Sequence, residues 1–273
     1  NIATEQLQPC DVETKGTYFR LVDGSNSAEK ECMYLTAVVE HTEKVYYENI
    51  IQEKFEKIPG RVFGYWVSDS LIKAFSNNVL DDVAKAVIGI KTGDNKVFLR
   101  NWYEVNANGI GLNLSSLSEV SDSNCKWFPY VKGGGFRRWY GNNDLILNWE
   151  DNGKNMLNHT NKNGIADARV RPSNFPYYLK NCITWSRIAS GQLGARFLPK
   201  GLFFDCNSPC VFNKRTSLFY LLGLMSSKVC VEVMKFIAPA HTFQIDDVKK
   251  IPITIEKEKK INHLLQNTSS RES

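Results

Sequence analysis

A chain of 273 residues can form one large domain or two modest ones around a sizeable core, and 42% hydrophobic with 23% charged residues is ordinary for a soluble globular protein. A net charge of +5 is compatible with nucleic acid without demanding it. No apolar run reaches the roughly 18 residues of a bilayer span, and the opening NIATEQLQPC lacks the basic and apolar regions of a signal peptide, so the expectation is a cytoplasmic protein with no membrane association.

In chain order, KGTYFRLV (Lys15–Val22) is rich in β-branched and aromatic residues and predicts a strand, followed by a helix over Ser27–Glu40. Val45, Tyr46, Ile50, Ile51 and Phe55 recur at helical spacing and predict a helix over Glu43–Lys57, stopped by Pro59-Gly60. A serine cap predicts a short helix over Ser68–Ser76. Beyond residue 78 the texture changes to short strands between Gly/Asn/Asp turns: AVIGI, KVFLRNWYEV, DLILNW, ITWSRI, ARFLP and GLFFD. One long helix is predicted over Thr216–Ile237, with a stripe of Leu218, Leu221, Leu222, Met225, Val229, Val233 and Phe236, ended by Pro239. TFQIDDVKKIPI then predicts a strand and a short helical turn. The expected division is a connector at 1–78, a domain at 79–255 and a charged tail at 256–273. Neither end reads as a natural domain edge, and the chain is expected to be cut from a longer protein.

Most catalytic signatures are missing. There is no Gly-x-Gly-x-x-Gly or Walker loop, and His41, His159, His241 and His263 are scattered. Seven cysteines are odd in number. Only Cys206 and Cys210, in CNSPC, lie close, with no second pair at ligand spacing, so neither a zinc site nor a disulfide framework is expected. Free thiols fit a reducing compartment. IDDVKK and EKEKK each place a carboxylate near a lysine, as metal-dependent nucleases do, but solvated helices carry the same groupings.

The informative stretch is WFPYVKGGGFRRWYGNNDLILNW, Trp127–Trp149. It combines three tryptophans, Lys132, Arg137 and Arg138, the glycines Gly133–Gly135, and Asn142-Asn143. Glycines let backbone N–H groups reach phosphate, arginines fork onto phosphate or guanine, and rings stack on or wedge between bases. The bland alternative makes Trp127, Trp139 and Trp149 core rings, the glycines hairpin turns and the arginines a solvated edge. A rival function is a carbohydrate-binding or protein-interaction module using the same Trp/Tyr/Asn/Gly-rich loops.

KTGDNKVFLRNWYEV (Lys91–Val105) resembles the TGxNxxFxRxWxEV element of the PglX family, adenine-specific DNA methyltransferases of BREX phage-defence systems related to type IIG restriction-modification enzymes. Four further elements resemble that family in order: FEKIPGRVFGYWVS (Phe55–Ser68), KWFPYVKGGGFRRWYGNNDLILNW (Lys126–Trp149), ITWSRIASGQLGARFLPKGLFFD (Ile183–Asp205), and the ending from Leu218 to Ile253. That ending is also similar to type I specificity subunits. CNSPC departs from an expected run of small residues, His241-Thr242 from Leu-Asn, and Asp246-Asp247 from Gly-Asp.

The resemblance implies an α/β target-recognition domain, a twisted mixed sheet with flanking helices that grips duplex DNA. The family's Asn/Asp-Pro-Pro-Tyr/Phe catalytic loop and its glycine loop for S-adenosylmethionine do not occur here; the nine prolines include no Pro-Pro pair. The resemblance therefore implies no catalytic residue and no cofactor in this chain, with S-adenosylmethionine belonging to the parent enzyme. Its implied partners are duplex DNA, the missing methyltransferase domain and other phage-defence proteins. Within that frame, Lys91, Lys96, Arg100, Lys126, Lys132, Arg137, Arg138, Arg169, Arg171, Arg187 and Arg196 form the cation pool for phosphates. Gly133 and Gly134 offer backbone N–H groups, and guanine readers come from Arg137, Arg138 or Arg187. Asn142 or Asn143 reads adenine, and Trp139 is expected to buttress the loop from beneath.

Overall fold

The computed structural model describes residues 14–160, 163–189, 191–238 and 242–254. The expected tail at 256–273 and the positions of His241, Pro239 and His263 lie outside the described residues. The chain divides into two compact units between Asn77 and Asn78.

In the first unit, β1 (Lys15–Phe19) pairs antiparallel with β2 (Tyr46–Ile51), Lys15 opposite Ile51 and Phe19 opposite Tyr46. Between them runs α1 (Ser27–Glu40), where Asn26 accepts from the Glu29 N–H at 2.9 Å and His41 ends the helix at φ 53°. The helix predicted over Glu43–Lys57 is corrected. Its first part is β2, and only α2 (Glu53–Glu56) is helical. Lys44 and Asn49 sit at φ 67° and 56°, which a helix excludes. Tyr46 and Ile50 satisfy their backbone groups on β1 instead, a partnership no local spacing reveals. The next helix, α3 (Asp69–Phe75), starts where Ser68 accepts from the Leu71 N–H. Phe55, Ile58, Val67, Ile72 and Phe75 are buried, and Tyr18 stacks on Tyr65 at 4.9 Å.

The second unit is mixed α/β, with its strands in two four-stranded sheets. The first sheet is antiparallel, in the order β10 (Arg196–Leu198), β9 (Cys182–Thr184), β12 (Cys210–Asn213), β3 (Ala84–Val87). The second is mixed, in the order β11 (Phe203–Phe204), β6 (Trp127–Val131), β7 (Leu145–Asn148), β5 (Leu99–Asn101), with β11 parallel to β6. A two-residue pair, β4 (Lys91–Thr92) with β8 (Val170–Arg171), stands apart. Short helices α4 (Leu80–Val83), α5 (Asn95–Phe98), α6 (Leu117–Asp122) and α7 (Glu150–Leu157) fill the connections.

KVFLRNWYEV is not one strand. Asp94 accepts from the N–H groups of Lys96 and Val97 and starts α5, β5 follows, and a 3₁₀ turn at Trp102–Glu104 is closed by Glu104 accepting from the Asn101 N–H at 2.6 Å. The long helix is also corrected. α8 (Leu218–Met225) and α9 (Lys228–Ile237) are separate, each with its own serine cap: Ser217 accepts from Phe219 and Ser227 from Cys230. A serine hydroxyl competes for the backbone N–H groups that a continuous helix would use, so Ser226-Ser227 breaks the run. Val229 is exposed and leaves the predicted stripe, while the Phe236 side chain lies outside the described residues. TFQIDDVKKIPI supplies α10 (Ile245–Val248) between single bridges at Thr242 and Pro252, not a strand.

Two cores result. Leu80, Ile183, Trp185, Val211, Leu221, Met225, Met234 and Phe243 join the antiparallel sheet to α8–α10. Phe98, Phe128, Tyr130, Leu147, Trp149, Tyr178, Phe203 and Phe204 form the core of the mixed sheet.

Candidate nucleic-acid interface

The strand directions bring one set of loops together. At one end of the mixed sheet lie the C-termini of β5, β6 and β11 and the N-terminus of β7. At the corresponding end of the antiparallel sheet lie the C-termini of β3 and β9 and the N-termini of β10 and β12. Three ties join the two ends. The glycine loop after β6 meets β9, because Ser186 Oγ accepts from the Gly134 N–H at 3.2 Å and donates to the Gly134 carbonyl at 3.1 Å. Trp139 meets β10: its N–H donates to the Ala195 carbonyl at 3.1 Å and its carbonyl accepts from Phe197 at 2.8 Å. The chain after β3 meets the chain after β11, with the Ile90 N–H on the Phe204 carbonyl at 2.8 Å and the Cys206 N–H on the Ile90 carbonyl at 3.1 Å. Gly89 is required at this crossing, since a Cβ there would lie 1.8 Å from the Phe204 carbonyl oxygen.

A buried carboxylate fixes the CNSPC turn. Asp205 accepts from the Tyr130 hydroxyl at 2.7 Å and from the Asn207 N–H at 2.6 Å. Burial, reinforced by Asp205, pushes the Tyr130 hydroxyl well above its usual range, so it stays a donor. Gly133 then packs against the Asn207 carbonyl, where a Cβ would approach to 3.1 Å. The Arg187 N–H donates to the Asn207 carbonyl at 3.0 Å and Lys91 follows Ile90, whose carbonyl accepts from Cys206, so both residues stand beside this turn. Burial raises the Cys206 thiol, and the positive fields of Arg187 and Lys91 oppose that rise. Among the described residues six cysteines are free, and no cluster of three metal-ligating side chains occurs.

Of the residues named from sequence, Lys91, Lys132, Gly133, Gly134, Arg137, Arg138 and Arg187 belong to this end of the fold. Arg137 is exposed. Arg138 donates to Gln192 Oε1 at 2.8 Å and stands over the Phe136 ring at 5.4 Å. Asn142 is at φ 61° and its amide donates to the Gly135 carbonyl at 3.1 Å, so it closes the loop. Both amide atoms of Asn143 are buried without a hydrogen-bond partner among the described residues, so this expected adenine reader does not present its amide at the surface.

Other members of the pool lie elsewhere. Lys126 precedes β6 and Lys132 follows it, roughly 20 Å away along an extended strand, and Lys126 pairs with Glu150 at 3.0 Å. Lys96 is exposed on α5; Arg100 donates to the carbonyls of Lys96 and Leu99 and faces the Trp127 ring at 5.9 Å. Arg169 holds Asp167 through Nε and Nη2, and Arg171 is exposed on β8. Arg196 is a correction. It is 1% exposed, its Nη1 donates to Ser186 Oγ and the Gly194 carbonyl, and burial lowers its pKa. It supports the glycine loop from within and cannot touch a phosphate at the surface.

Trp139 is the second correction. The residue is 56% exposed, whereas Trp149 is buried and Trp127 half-buried in the sheet. Tyr140, Trp102 and Tyr103 are exposed as well. Sequence reasoning missed this outward aromatic set because ring-rich strands ordinarily pack inward. It also missed Lys228 and Lys235, which line a cleft of about 520 Å³ with Arg138, Gln192 and Glu232; the broken helix that presents them read as one.

No family model matches the chain. It is 33% identical over 264 residues to the adenine-specific methyltransferase PglX of Lacticaseibacillus casei, covering 94% of this chain and 22% of that protein. It is 32% identical over 261 residues to the adenine-specific methyltransferase BrxX of Escherichia coli, covering 92% of this chain and 19% of that protein. The chain spans about a fifth of the length of these relatives. Along nearly its whole length it is a PglX-like sequence, homologous to one segment of these adenine-specific methyltransferases.

Proposed function

We propose that this chain is the sequence-specific duplex-DNA recognition segment of an adenine-N6 methyltransferase acting in phage defence or restriction-modification. The observation that carries the reading is the convergence of Lys91, Lys132, Arg137, Arg138 and Arg187 on loops tied across two sheets. Fixed cations on a rigid scaffold bind the phosphate backbone, and their arrangement sets where base-reading groups arrive. Arg137, Arg138 or Arg187 reads guanine, while Asn142 holds the loop shape and the amide of Asn143 stays beneath the surface. Methyl transfer and S-adenosylmethionine binding belong to the rest of the parent protein, which is the chain's protein partner together with other phage-defence components, in the cytoplasm. No helix among the described residues is long and apolar enough to cross a membrane.

Salt titration on duplex DNA tests this. Affinity should fall steeply and linearly in log–log form between 50 and 200 mM salt, with a slope of about −0.9 per neutralised phosphate. Affinity for a neutral oligosaccharide that salt does not alter, with none for DNA, would replace this reading by the carbohydrate-binding one.

A further inference from the structure

Trp139 combines three properties that a structural residue does not need together. Its backbone is at φ 73°, a region that bulky L-residues rarely enter and that glycine or asparagine would occupy more readily. That conformation is held from both sides, by the hydrogen bonds to Ala195 and from Phe197. Yet the residue gains little packing in return, since it is 56% exposed. The sequence thus keeps a large ring at a strained position whose side chain the core does not use, and strain of this kind collects at functional sites.

The surroundings identify the occupant. Arg137 and Arg138 precede the ring, and Lys132 and the Gly133–Gly135 backbone lie on the same loop. The loop runs to Asp144, whose carbonyl accepts from the Trp102 N–H at 3.0 Å, so exposed Trp102 and Tyr103 stand at its root. An apolar ring on a loop that also carries cations is complementary to a base flanked by phosphates.

We infer that Trp139 is a wedge that enters the base stack of bound DNA at an opened or kinked step, so that the segment reads duplex deformability as well as base edges. This rests on the DNA-recognition reading. Base faces are hidden in intact duplex, so the ring gains only where a step is unstacked. A duplex in which one base is already missing should therefore bind more tightly than its paired counterpart. Stacking on one base corresponds to roughly five- to 150-fold in affinity.

The experiment measures affinity of the chain and of Trp139→Gly and Trp139→Phe for one duplex, fully paired or with a single abasic site opposite 2-aminopurine, at two salt concentrations, alongside thermal melts. Glycine relieves the left-handed backbone, so Trp139→Gly should melt at or above the parent temperature. The expected result is a parent preference for the abasic duplex in that range, with 2-aminopurine fluorescence changing on binding. The Phe variant should retain part of the preference, and the Gly variant should lose it with an unchanged salt slope. The inference is overturned if the parent binds both duplexes equally, or if the Gly variant keeps the preference. It is also overturned if the Gly variant melts lower and binds like the parent, which would make the ring structural. Absence of salt-dependent binding to either duplex would instead refute the recognition reading on which it stands.

Discussion

Replacing Arg137 and Arg138 together with alanine isolates the charge of the glycine loop from its shape. Neither guanidinium supports the core: Arg137 is exposed, with its stem close to Gly141, and Arg138 makes one side-chain hydrogen bond, to Gln192. Stability should therefore change by no more than about 0.5 kcal/mol. Each lost phosphate contact should lower the log–log salt slope by about 0.9, so the double variant should lose about 0.9 to 1.8 units. Over a fourfold rise in salt, the affinity gap between parent and variant should then narrow by about 3.5- to 12-fold. Fluorescence anisotropy on one duplex from 50 to 200 mM salt measures this, and Lys126→Ala is the internal control. Lys126 is paired with Glu150 at the far end of β6, so its removal should leave the slope unaltered. If the double variant kept the parent slope and affinity with an unchanged melting temperature, or if Lys126→Ala lowered the slope equally, the loop end of the two sheets would not face DNA.

Three further outcomes follow from the fold. Asp167 is held at a pKa of about 2, chiefly by the Arg169 side-chain hydrogen bonds, so its stabilisation is complete above the ordinary carboxylate value near 4 and is lost as pH falls from about 4 to about 2. The difference in urea midpoint between parent and Asp167→Asn should be constant above pH 4 and shrink below it; a constant difference down to pH 2 would refute the assignment. Ser227→Ala removes the cap of α9 and should cost about 1 kcal/mol in denaturant unfolding, whereas a loss near zero would mean that α8 and α9 can fuse. Leu221→Ala should cost about 2–5 kcal/mol by the same measurement, because Leu221 is fully buried against the antiparallel sheet.

The sequence was legible where a local signal determines the outcome. Ser27–Glu40 and the serine-capped α3 form as predicted, since caps and turns act within a few residues. DLILNW and ARFLP supply β7 and β10, and the mixed α/β class follows from such strands among helices. Tyr46–Ile51 was not legible, because its strand character depends on β1 some thirty residues away. The break at Ser226-Ser227 was hidden by an apolar pattern that continues through it, although both serines are in plain view. Among candidate site residues, Lys132, Arg137 and Arg138 gather with Arg187 and Lys91 at one end of the fold, while Lys126, chosen by the same rule, lies at the other end and Arg196 is buried beneath the loop. A cation's residue type states what it can bind. Only the packing of the strand beneath it determines whether it reaches solvent.

Arg196 shows how that difference can still serve the same surface. Its guanidinium lies under the glycine loop with no carboxylate at ion-pair distance among the described residues, and its Nε and Nη2 make no hydrogen bond there. Arg137 above it adds a repulsive positive field that, together with burial, lowers the Arg196 pKa. A buried charge is screened by salt far less than an exposed one, so its potential extends through the thin loop to the surface. The loop cannot relax away from it. Ser186 holds Gly134 by two hydrogen bonds, and a Cβ at Gly194 would meet the Arg137 carbonyl at 2.7 Å, so β10 and the loop already lie at their closest approach. An anion above Gly133–Arg137 would thus meet solvent-facing charge from Arg137 and buried charge from Arg196. On the proposed DNA-facing surface the first component would weaken as salt rises, and the second would persist.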